Sequence, residues 1–256
     1  MCEKKNVLIA RAPQYSLNSV DKDWEILSAV RRQLLLMGCC CEDIVHEEQM
    51  DSLPAADVYL SMGRLDRTLT MLHDRPLVIN SSASIDLCKH RSRLMHRLEQ
   101  AGFPVPPLEG HDGYWVKRGD DYTMCEQDVQ YAADEAQALL ICQEMQHRGI
   151  TAVDVRSHVQ GHLLKCYGVA GTSFFHCHHP ADAPCPAFDS SALHHLLIKV
   201  AALVGLAVYG CDCIIRADGS PVIIDVNDWP SFSPCLDEAA VAIAQSVMKR
   251  DDGDAA

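Results

Sequence analysis

The sequence lacks any long apolar run and is short of positive charge. No run approaches the roughly 20 apolar residues of a membrane-spanning helix. The start, MCEKKNVLIA, is charged and its apolar part is too short for the core of a signal peptide, so we expect no secretory signal and a cytoplasmic protein. The formal net charge of −13 disfavours nucleic acids and anionic membranes as main partners, because both reward clustered Lys and Arg.

The sequence also lacks the paired C-x-x-C spacing of structural zinc sites, although it contains 13 cysteines. Two clusters suggest a metal, CCC at Cys39–Cys41 and HCHH at His176–His179. In a strand, alternation places His176 and His178 on one face and Cys177 with His179 on the other. We therefore expect reduced core thiols and surface or substrate-side histidines, with a redox or metal-handling protein as an alternative interpretation.

The order of elements in residues 1–84 is strand, helix, strand, helix, strand, which indicates a small parallel α/β layer. The chain has 256 residues, enough for one large domain or two small ones. The first helix has helical spacing of apolar residues, at Trp24, Leu27, Val30, Leu34 and Met37. A second long helix is predicted from Ser84, as its N-cap, to Gly102. A later helix has its predicted buried side at Leu193, Leu197, Val200 and Val204.

The segment GCDCIIRADGSPVIIDVN has the pattern of a β-hairpin, because Asp218-Gly219 lies between two β-rich runs. If those two residues form the turn, counting outward pairs Asp212 with Asp225 on one face, and parity adds Asn227 to that face. The opposite face would enter the core with Ile215, Val222, Ile224 and Val226.

Two opposed carboxylates repel each other unless a cation or a proton lies between them. Asp212, Asp225 and Asn227 offer only hard oxygens, which suit Mg²⁺, although two acids at the wet ends of a hairpin would explain them equally well. Lys117 and Lys165 are lone cations in apolar strands. Each by itself is typical of a surface lysine, but together with the acids they favour MgATP.

Four segments, in this order along the chain, resemble an ATP-grasp protein. VINSSASIDLCKHRSRLMHRLEQAGFPVPP is similar to the linker and helix before the first nucleotide-binding subdomain, and YWVK to the strand with the first ATP lysine. AVDVRSHVQGHLLKCYGV resembles the adenine hinge and the strand with a second lysine, and GCDCIIRADGSPVIIDVNDWPSFSP resembles the metal-binding hairpin.

The resemblance implies an α/β fold in which a small parallel N-terminal layer, residues 1–84, precedes a two-subdomain ATP-grasp domain with antiparallel sheets, residues 85–250. The lid-type subdomain would span about 103–150 and the C-terminal metal-binding subdomain about 151–250. Carried over residue by residue, Lys117 and Lys165 would hold the ATP phosphates, and Asp212, Asp225 and Asn227 would bind one or two Mg²⁺ ions.

The hinge implied by the resemblance lies at Asp154, Val155 and Arg156, whose backbone would meet the adenine. The chain departs from the family pattern after the first lysine, where RGDDYTMCEQD has one glycine instead of a glycine-rich loop. We expect Arg118 and the backbone amides around Gly119 to cover the phosphates. The DVN and WPSF sequences also resemble the inositol-polyphosphate kinase branch of the superfamily.

The function implied by the resemblance is an ATP-dependent ligase that activates a carboxylate as an acyl phosphate for attack by an amine or a thiol. A small-molecule kinase and a non-catalytic nucleotide-binding relic are the alternatives. The acceptor side offers Arg11, Arg64, His176 and His178, which would suit a small-molecule or peptide-like anionic substrate, while ordinary loop charge explains the two arginines equally well. A homodimer is the expected assembly.

Overall fold

The computed structural model describes residues 5–15, 20–180 and 185–249, which form three β-sheets flanked by helices. Within those ranges no helix combines the length and the apolar character needed to cross a bilayer.

The N-terminal layer is a parallel sheet, as the sequence predicts. Its strands follow the order β2-β1-β4-β5, and β3 pairs with the other end of β1. The layer is built from β1 (Lys5–Ala10), α1 (Val20–Leu36), β2 (Cys40–Cys41), β3 (Val45–His46), β4 (Val58–Ser61), α2 (Asp66–Leu72) and β5 (Val78–Ile79).

Two antiparallel sheets follow, which confirms the predicted fold class. The three-stranded sheet has the order β7-β6-β8 and the four-stranded sheet has the order β10-β9-β11-β12. The remaining elements are α3 (Ser82–Lys89), α4 (Arg91–Gln100), β6 (Tyr114–Arg118), β7 (Val129–Ala132), α5 (Glu135–His147), β8 (Val153–Ser157), β9 (His162–Val169), β10 (Phe175–His178), α6 (Ser190–Val204), β11 (Val208–Ile215), β12 (Pro221–Asn227) and α7 (Leu236–Lys249).

The largest hydrophobic core contains residues from both sides of the predicted domain boundary at residue 84. The reason is that α7, near the C-terminal end, packs against α1, near the N-terminal end. Leu27, Val30 and Leu34 are buried in it, as predicted. Trp24 was expected on the same side but is 47% exposed, with its ring stacked on His46. The predicted buried side of α6 is confirmed.

The long helix predicted from Ser84 is instead two helices. Ser81 caps α3, its side chain accepting a hydrogen bond from the Ser84 backbone N–H, so the prediction of Ser84 as N-cap was wrong. The chain leaves helical geometry at His90 (φ −97°, ψ 75°), between α3 and α4. This break places Arg91 in the first turn of α4, where it reaches the four-stranded sheet.

Buried polar contacts hold the N-terminal layer against the four-stranded sheet. The Asn80 amide donates to the Val208 carbonyl at 2.7 Å and to the Asp228 carbonyl, and its oxygen accepts from the backbone of Ala207 and Val208 at 2.8 and 2.9 Å. Arg64 pairs with Asp228 at 2.7 Å, with side-chain exposures of 5% and 0%. The layer is therefore fixed close to the chain that leaves β12.

We expect Arg64→Met to lower the free energy of unfolding by about 3–5 kcal/mol, because the Asp228 carboxylate would stay buried without its cation. Arg93→Met is the matched control, since Arg93 pairs with Asp86 while 63% exposed and such pairs contribute about 0–1 kcal/mol. Chemical denaturation of both variants measures the difference. If both variants lost the same free energy of unfolding, the Arg64–Asp228 pair would not stabilise the packing of the N-terminal layer on the four-stranded sheet.

Candidate active site

A row of ionisable side chains, called the charged row, crosses the four-stranded sheet on one face. His178 of β10 lies opposite Lys165 of β9, Lys165 lies opposite Asp212 of β11, and Asp212 lies opposite Asp225 of β12. The pairing of Asp212 with Asp225 that the sequence predicts is confirmed. The next row on the same face contains Asn227, opposite Gly210.

The hairpin reaches this pairing by a different route from the one predicted. The Arg216 N–H donates to the Ser220 carbonyl, so the loop has three residues, Ala217–Gly219, and the predicted two-residue turn was wrong. The register is one residue off near the loop, where Ile215 lies opposite Pro221. A bulge between the loop and the acids restores it.

The bulge also changes the face of one side chain. Ile224 is the residue passed over by the register shift, and it lines a cavity instead of entering the core as predicted. Ile223 takes the core position, while Ile215 and Val226 are in the core as expected. The hairpin therefore presents an apolar side chain directly beside the Asp225 carboxylate.

The two facing carboxylates have different partners. Lys165 Nζ lies 2.7 Å from Asp212 Oδ2, and Arg91 Nη2 lies 3.0 Å from Asp225 Oδ2. Burial raises the pKa of Asp212, and repulsion from Asp225 adds to the rise although Lys165 opposes it. Burial would also raise the pKa of Asp225, but Arg91 and Lys117 outweigh it and hold that pKa below its ordinary value.

Lys117 approaches the same acids from the three-stranded sheet. Its Nζ donates to the Ile224 carbonyl at 3.2 Å. Burial lowers its pKa, with Asp225 acting against the decrease and Arg91 adding to it. Lys117, Lys165 and Arg91 thus surround two carboxylates with three cations contributed by three different parts of the chain.

Arg91 was missed by the sequence analysis. Its segment was predicted to be part of one long helix from Ser84 to Gly102, and nothing local marks the break before it. Its side chain is 13% exposed, and it donates to the Arg118 carbonyl at 3.4 Å as well as to Asp225.

An apolar cavity of about 320 Å³ lies between the two antiparallel sheets, with Lys117 in its wall. Eight of its thirteen lining residues are apolar: Met95, Pro106, Trp115, Val129, Val159, Leu163, Ile214 and Ile224. Its mainly apolar lining suits an aromatic group held next to Lys117.

Two of the predicted hinge residues line this cavity. Asp154 and Arg156 project into it, and Arg156 Nε lies 3.3 Å from Asp154 Oδ1. Val155 packs on the opposite face with the core of the three-stranded sheet. Its side chain is therefore turned away, and only its backbone is available for the predicted contact.

A larger, more polar cavity of about 690 Å³ lies on the other side of the charged row. Lys165, Asp212, Asn227 and His178 line it from the four-stranded sheet. Arg11 and Arg64, the predicted acceptor-side arginines, line it from the N-terminal layer. Arg11 is held there, because Nη2 donates to the Trp229 carbonyl at 2.7 Å and Nε lies 2.9 Å from Asp23 Oδ2.

A strap formed by residues 119–128 borders the larger cavity and is anchored by Tyr122. The Tyr122 hydroxyl donates to the Ile85 carbonyl at 3.1 Å and lies 3.3 Å from Asp228 Oδ1. The Arg64 guanidinium stacks 3.4 Å from the centre of the ring. Thr123, Cys125 and Glu126 consequently lie against the cavity.

Arg118 and Gly119, which were predicted to cover the phosphates, have other partners in the structure. Arg118 alternates with Lys117 on β6 and pairs with Asp120 at 2.8 Å, so it lies among the acids of the strap and lines neither cavity. The Gly119 N–H donates to the Ala152 carbonyl at 2.8 Å and is not available for a phosphate.

The two Cys/His clusters do not form a metal site in the part of the chain that the structure describes, where no group of three or more His, Cys, Asp and Glu side chains could hold an ion. In the HCHH segment, His178 faces the larger cavity and Cys177 packs against the core, as alternation predicts. The ring of His176 lies against that of Tyr167, and His179 Nδ1 lies 3.0 Å from the Leu163 carbonyl oxygen.

Comparisons with known proteins identify the architecture. No family model and no curated protein sequence matches the chain. Among solved structures, it is similar to a RimK domain protein ATP-grasp from Sphaerobacter thermophilus, with 18% identity, 95% and 99% of the two chains covered and a TM-score of 0.67.

Two further structures extend the likeness to proteins named as ligase and macrocyclase. The chain is similar to the VanG D-Ala:D-Ser ligase from Enterococcus faecalis, with 12% identity, 96% and 99% coverage and a TM-score of 0.70. It is also similar to the macrocyclase MdnC bound with its precursor peptide from Microcystis aeruginosa, with 11% identity, 96% and 99% coverage and a TM-score of 0.67. With a parallel N-terminal sheet, two antiparallel sheets and these full-length matches, the chain has the ATP-grasp fold.

Proposed function

We propose that this protein is an ATP-dependent ligase that joins a carboxylate to an amine or a thiol. The observation that carries the proposal is the charged row, His178–Lys165–Asp212–Asp225, which separates an apolar cavity from a polar one. Such a row is where a nucleotide phosphate chain would meet a second substrate. The structural neighbours named as ligases support the same chemistry.

In this proposal the adenine occupies the apolar cavity and the phosphates follow the cations. Trp115 offers a flat surface and Ile224 an aliphatic contact to a base, and Lys117 lies at the same cavity wall. Lys165 and Arg91 continue the positive charge along the carboxylates. Charge-assisted hydrogen bonds from these groups are the strong kind that anchor phosphates.

The residues on this face fit Mg²⁺. Asp212, Asp225 and Asn227 contribute only carboxylate and amide oxygens, and two of the three face each other across neighbouring strands. Bound there, Mg²⁺ would neutralise charge on the phosphates. Lys165 and Arg91 balance the same carboxylates, so both cations are held next to the position of the transferred phosphoryl group.

The proposed reaction needs no covalent intermediate on the enzyme. A carboxylate oxygen of the substrate attacks the γ-phosphorus of ATP, the bond to the ADP oxygen breaks, and an acyl phosphate forms. An amine or a thiol then attacks the acyl carbon, phosphate leaves and the proton of the nucleophile is lost. The chain's part is to orient the two substrates and to neutralise the developing charge with Lys117, Lys165 and Arg91.

The larger cavity would hold the carboxylate substrate. Arg11 and Arg64 of the N-terminal layer and Lys165 of the row all line it, which favours an anionic molecule. The strap anchored by Tyr122 forms part of its wall and would keep water from the acyl phosphate.

MgATP should raise the thermal stability of the wild-type protein, and the rise should depend on Mg²⁺. At about 100 times the dissociation constant the expected stabilisation is about 2.7 kcal/mol. Asn227→Ala should lose the part of the shift that depends on Mg²⁺, whereas Gln146→Ala, an exposed position on α5, should keep it. No shift in the wild type would contradict the proposed nucleotide site.

Lys117→Met should weaken ATP binding by about 10- to 100-fold at neutral pH, since a hydrogen bond to a charged group contributes about 1.5–3 kcal/mol. Because burial lowers the pKa of Lys117, its charge is lost at a lower pH than that of an exposed lysine. The wild-type affinity should therefore fall as the pH rises toward 10.5, and this part of the fall should be absent in Lys117→Met.

Isothermal titration across the pH range measures both effects. Lys199→Met, at an exposed position on α6, is the control and should bind ATP like the wild type. If Lys117→Met bound ATP normally at every pH, Lys117 would have no place at the phosphates.

The product separates a ligase from a kinase on the same fold. A ligase supplied with ATP, a carboxylate and an amine or thiol releases free phosphate in the same amount as ADP, whereas a kinase leaves the phosphoryl group on the acceptor. We expect equal ADP and free phosphate in a screen of carboxylates that is scored for both products. ADP without phosphate would overturn the ligase proposal in favour of the kinase.

A further inference from the structure

The charged row has a counterpart on the opposite face of the same strands, made of thiols. Cys177 of β10 lies directly opposite Cys166 of β9, and Cys166 lies opposite Cys211 of β11. The sulfur atoms of Cys166 and Cys177 are 3.7 Å apart, and both residues are free thiols. The proposed reaction does not use them.

The two thiols differ in how easily an oxidant reaches them. Cys166 is 1% exposed, and its side chain is in the core under α6. Cys177 is only partly buried, and it lies on β10, an edge strand of its sheet. The hydrogen bond between the two thiols lowers the pKa of Cys177, although burial acts in the other direction. The less buried thiol is thus also the one that ionises more readily, and the thiolate is the reactive form.

The backbone already has the spacing that a disulfide needs. Directly opposed residues on antiparallel strands have Cα atoms about 4.5–5.5 Å apart, within the 4.4–6.8 Å usual for disulfides. Bond formation therefore requires the two sulfur atoms to approach each other without a change of strand register.

We propose that Cys166 and Cys177 are a redox modification site that forms a reversible cross-strand disulfide when the protein meets a peroxide. The Cys177 thiolate attacks one peroxide oxygen and becomes a sulfenic acid, and the other oxygen leaves as hydroxide. Cys166 then attacks the Cys177 sulfur, and its thiol proton leaves with the displaced hydroxide as water. The two thiols lose two electrons in total, and hydrogen peroxide is reduced to two molecules of water.

The site is coupled to the charged row through neighbouring residues. Lys165 precedes Cys166 on β9, and His178 follows Cys177 on β10, each with its side chain on the other face. The S–S bond ties β9 to β10 next to Lys165 and restrains the strand that carries it, and the Lys165 ammonium lies 2.7 Å from Asp212. Oxidation should therefore weaken MgATP binding, a consequence that rests on the proposed function.

Peptide mapping tests the disulfide without any substrate. Reduced protein is treated with hydrogen peroxide, alkylated, and digested with trypsin and chymotrypsin without reductant. Cleavage after Lys165, Tyr167, Phe175 and Phe188 separates Cys166 from the peptide 176–188 that contains Cys177 and Cys185. We expect a linked pair of these two peptides, which dithiothreitol separates.

Two variants assign the linkage. Cys185→Ser should still give the linked peptides, and Cys177→Ser should not. Absence of the linked pair in the wild type, sulfinic acid at Cys177 in its place, or a linked pair that survives in Cys177→Ser would each overturn the proposed site.

The effect on the nucleotide is measured as the MgATP-dependent thermal shift before and after oxidation. The thermal shift of the wild type should decrease on oxidation and return with dithiothreitol. The shift of Cys177→Ser should change less on oxidation, and the change that remains in this variant measures the effect of the other cysteines. A mapped disulfide with an unchanged shift would overturn the coupling. A mapped disulfide in a reduced protein that never responds to MgATP would instead count against the proposed function and leave the modification site in place.

Discussion

Two carboxylates that face each other across neighbouring strands set the main constraint on this structure. The carboxylates of Asp212 and Asp225 repel each other. Without neighbouring cations, this repulsion would disfavour the register in which β11 and β12 pair. The chain resolves the conflict by bringing Lys165 from the same sheet, Lys117 from the other sheet and Arg91 from α4 to one place. The convergence of these elements follows from the need to balance that charge.

Much of the row could be predicted because it depends on local rules. Alternation along a strand and counting outward from a turn are enough to pair Asp212 with Asp225 and to assign faces to Cys177 and His178. The predicted loop was one residue too short, but the bulge shifts the register back, so the predicted pairing of Asp212 with Asp225 still occurs. A bulge at Ile224 leaves no mark in the sequence, since Ile223 and Ile224 are both apolar and either could face the core.

The remaining parts of the site depend on contacts between distant segments. Arg91 becomes part of it only because the chain breaks at His90, where no glycine or proline marks the end of a helix. Arg118 was a reasonable candidate from its position after Lys117, but the acids of its own strap pair with it. The parallel N-terminal sheet was predictable, whereas the packing of α7 on α1 was not, because no local pattern specifies which distant face a helix covers. The roles of the individual site residues stay predictions.

The anchoring of the strap has a consequence for how fast the proposed enzyme could work. A glycine-rich lid can swing on its two ends, but this strap is held in its middle by Tyr122. For the strap to open, Tyr122 must lose its stacked contact with Arg64, which contributes of the order of 0.5–2 kcal/mol. It must also lose the hydrogen bonds of its hydroxyl group. Both Arg64 and Asp228 also hold the N-terminal layer. Opening of the strap would then remove contacts from two residues that also hold that layer, and the frequency of opening would set an upper limit on the release of products.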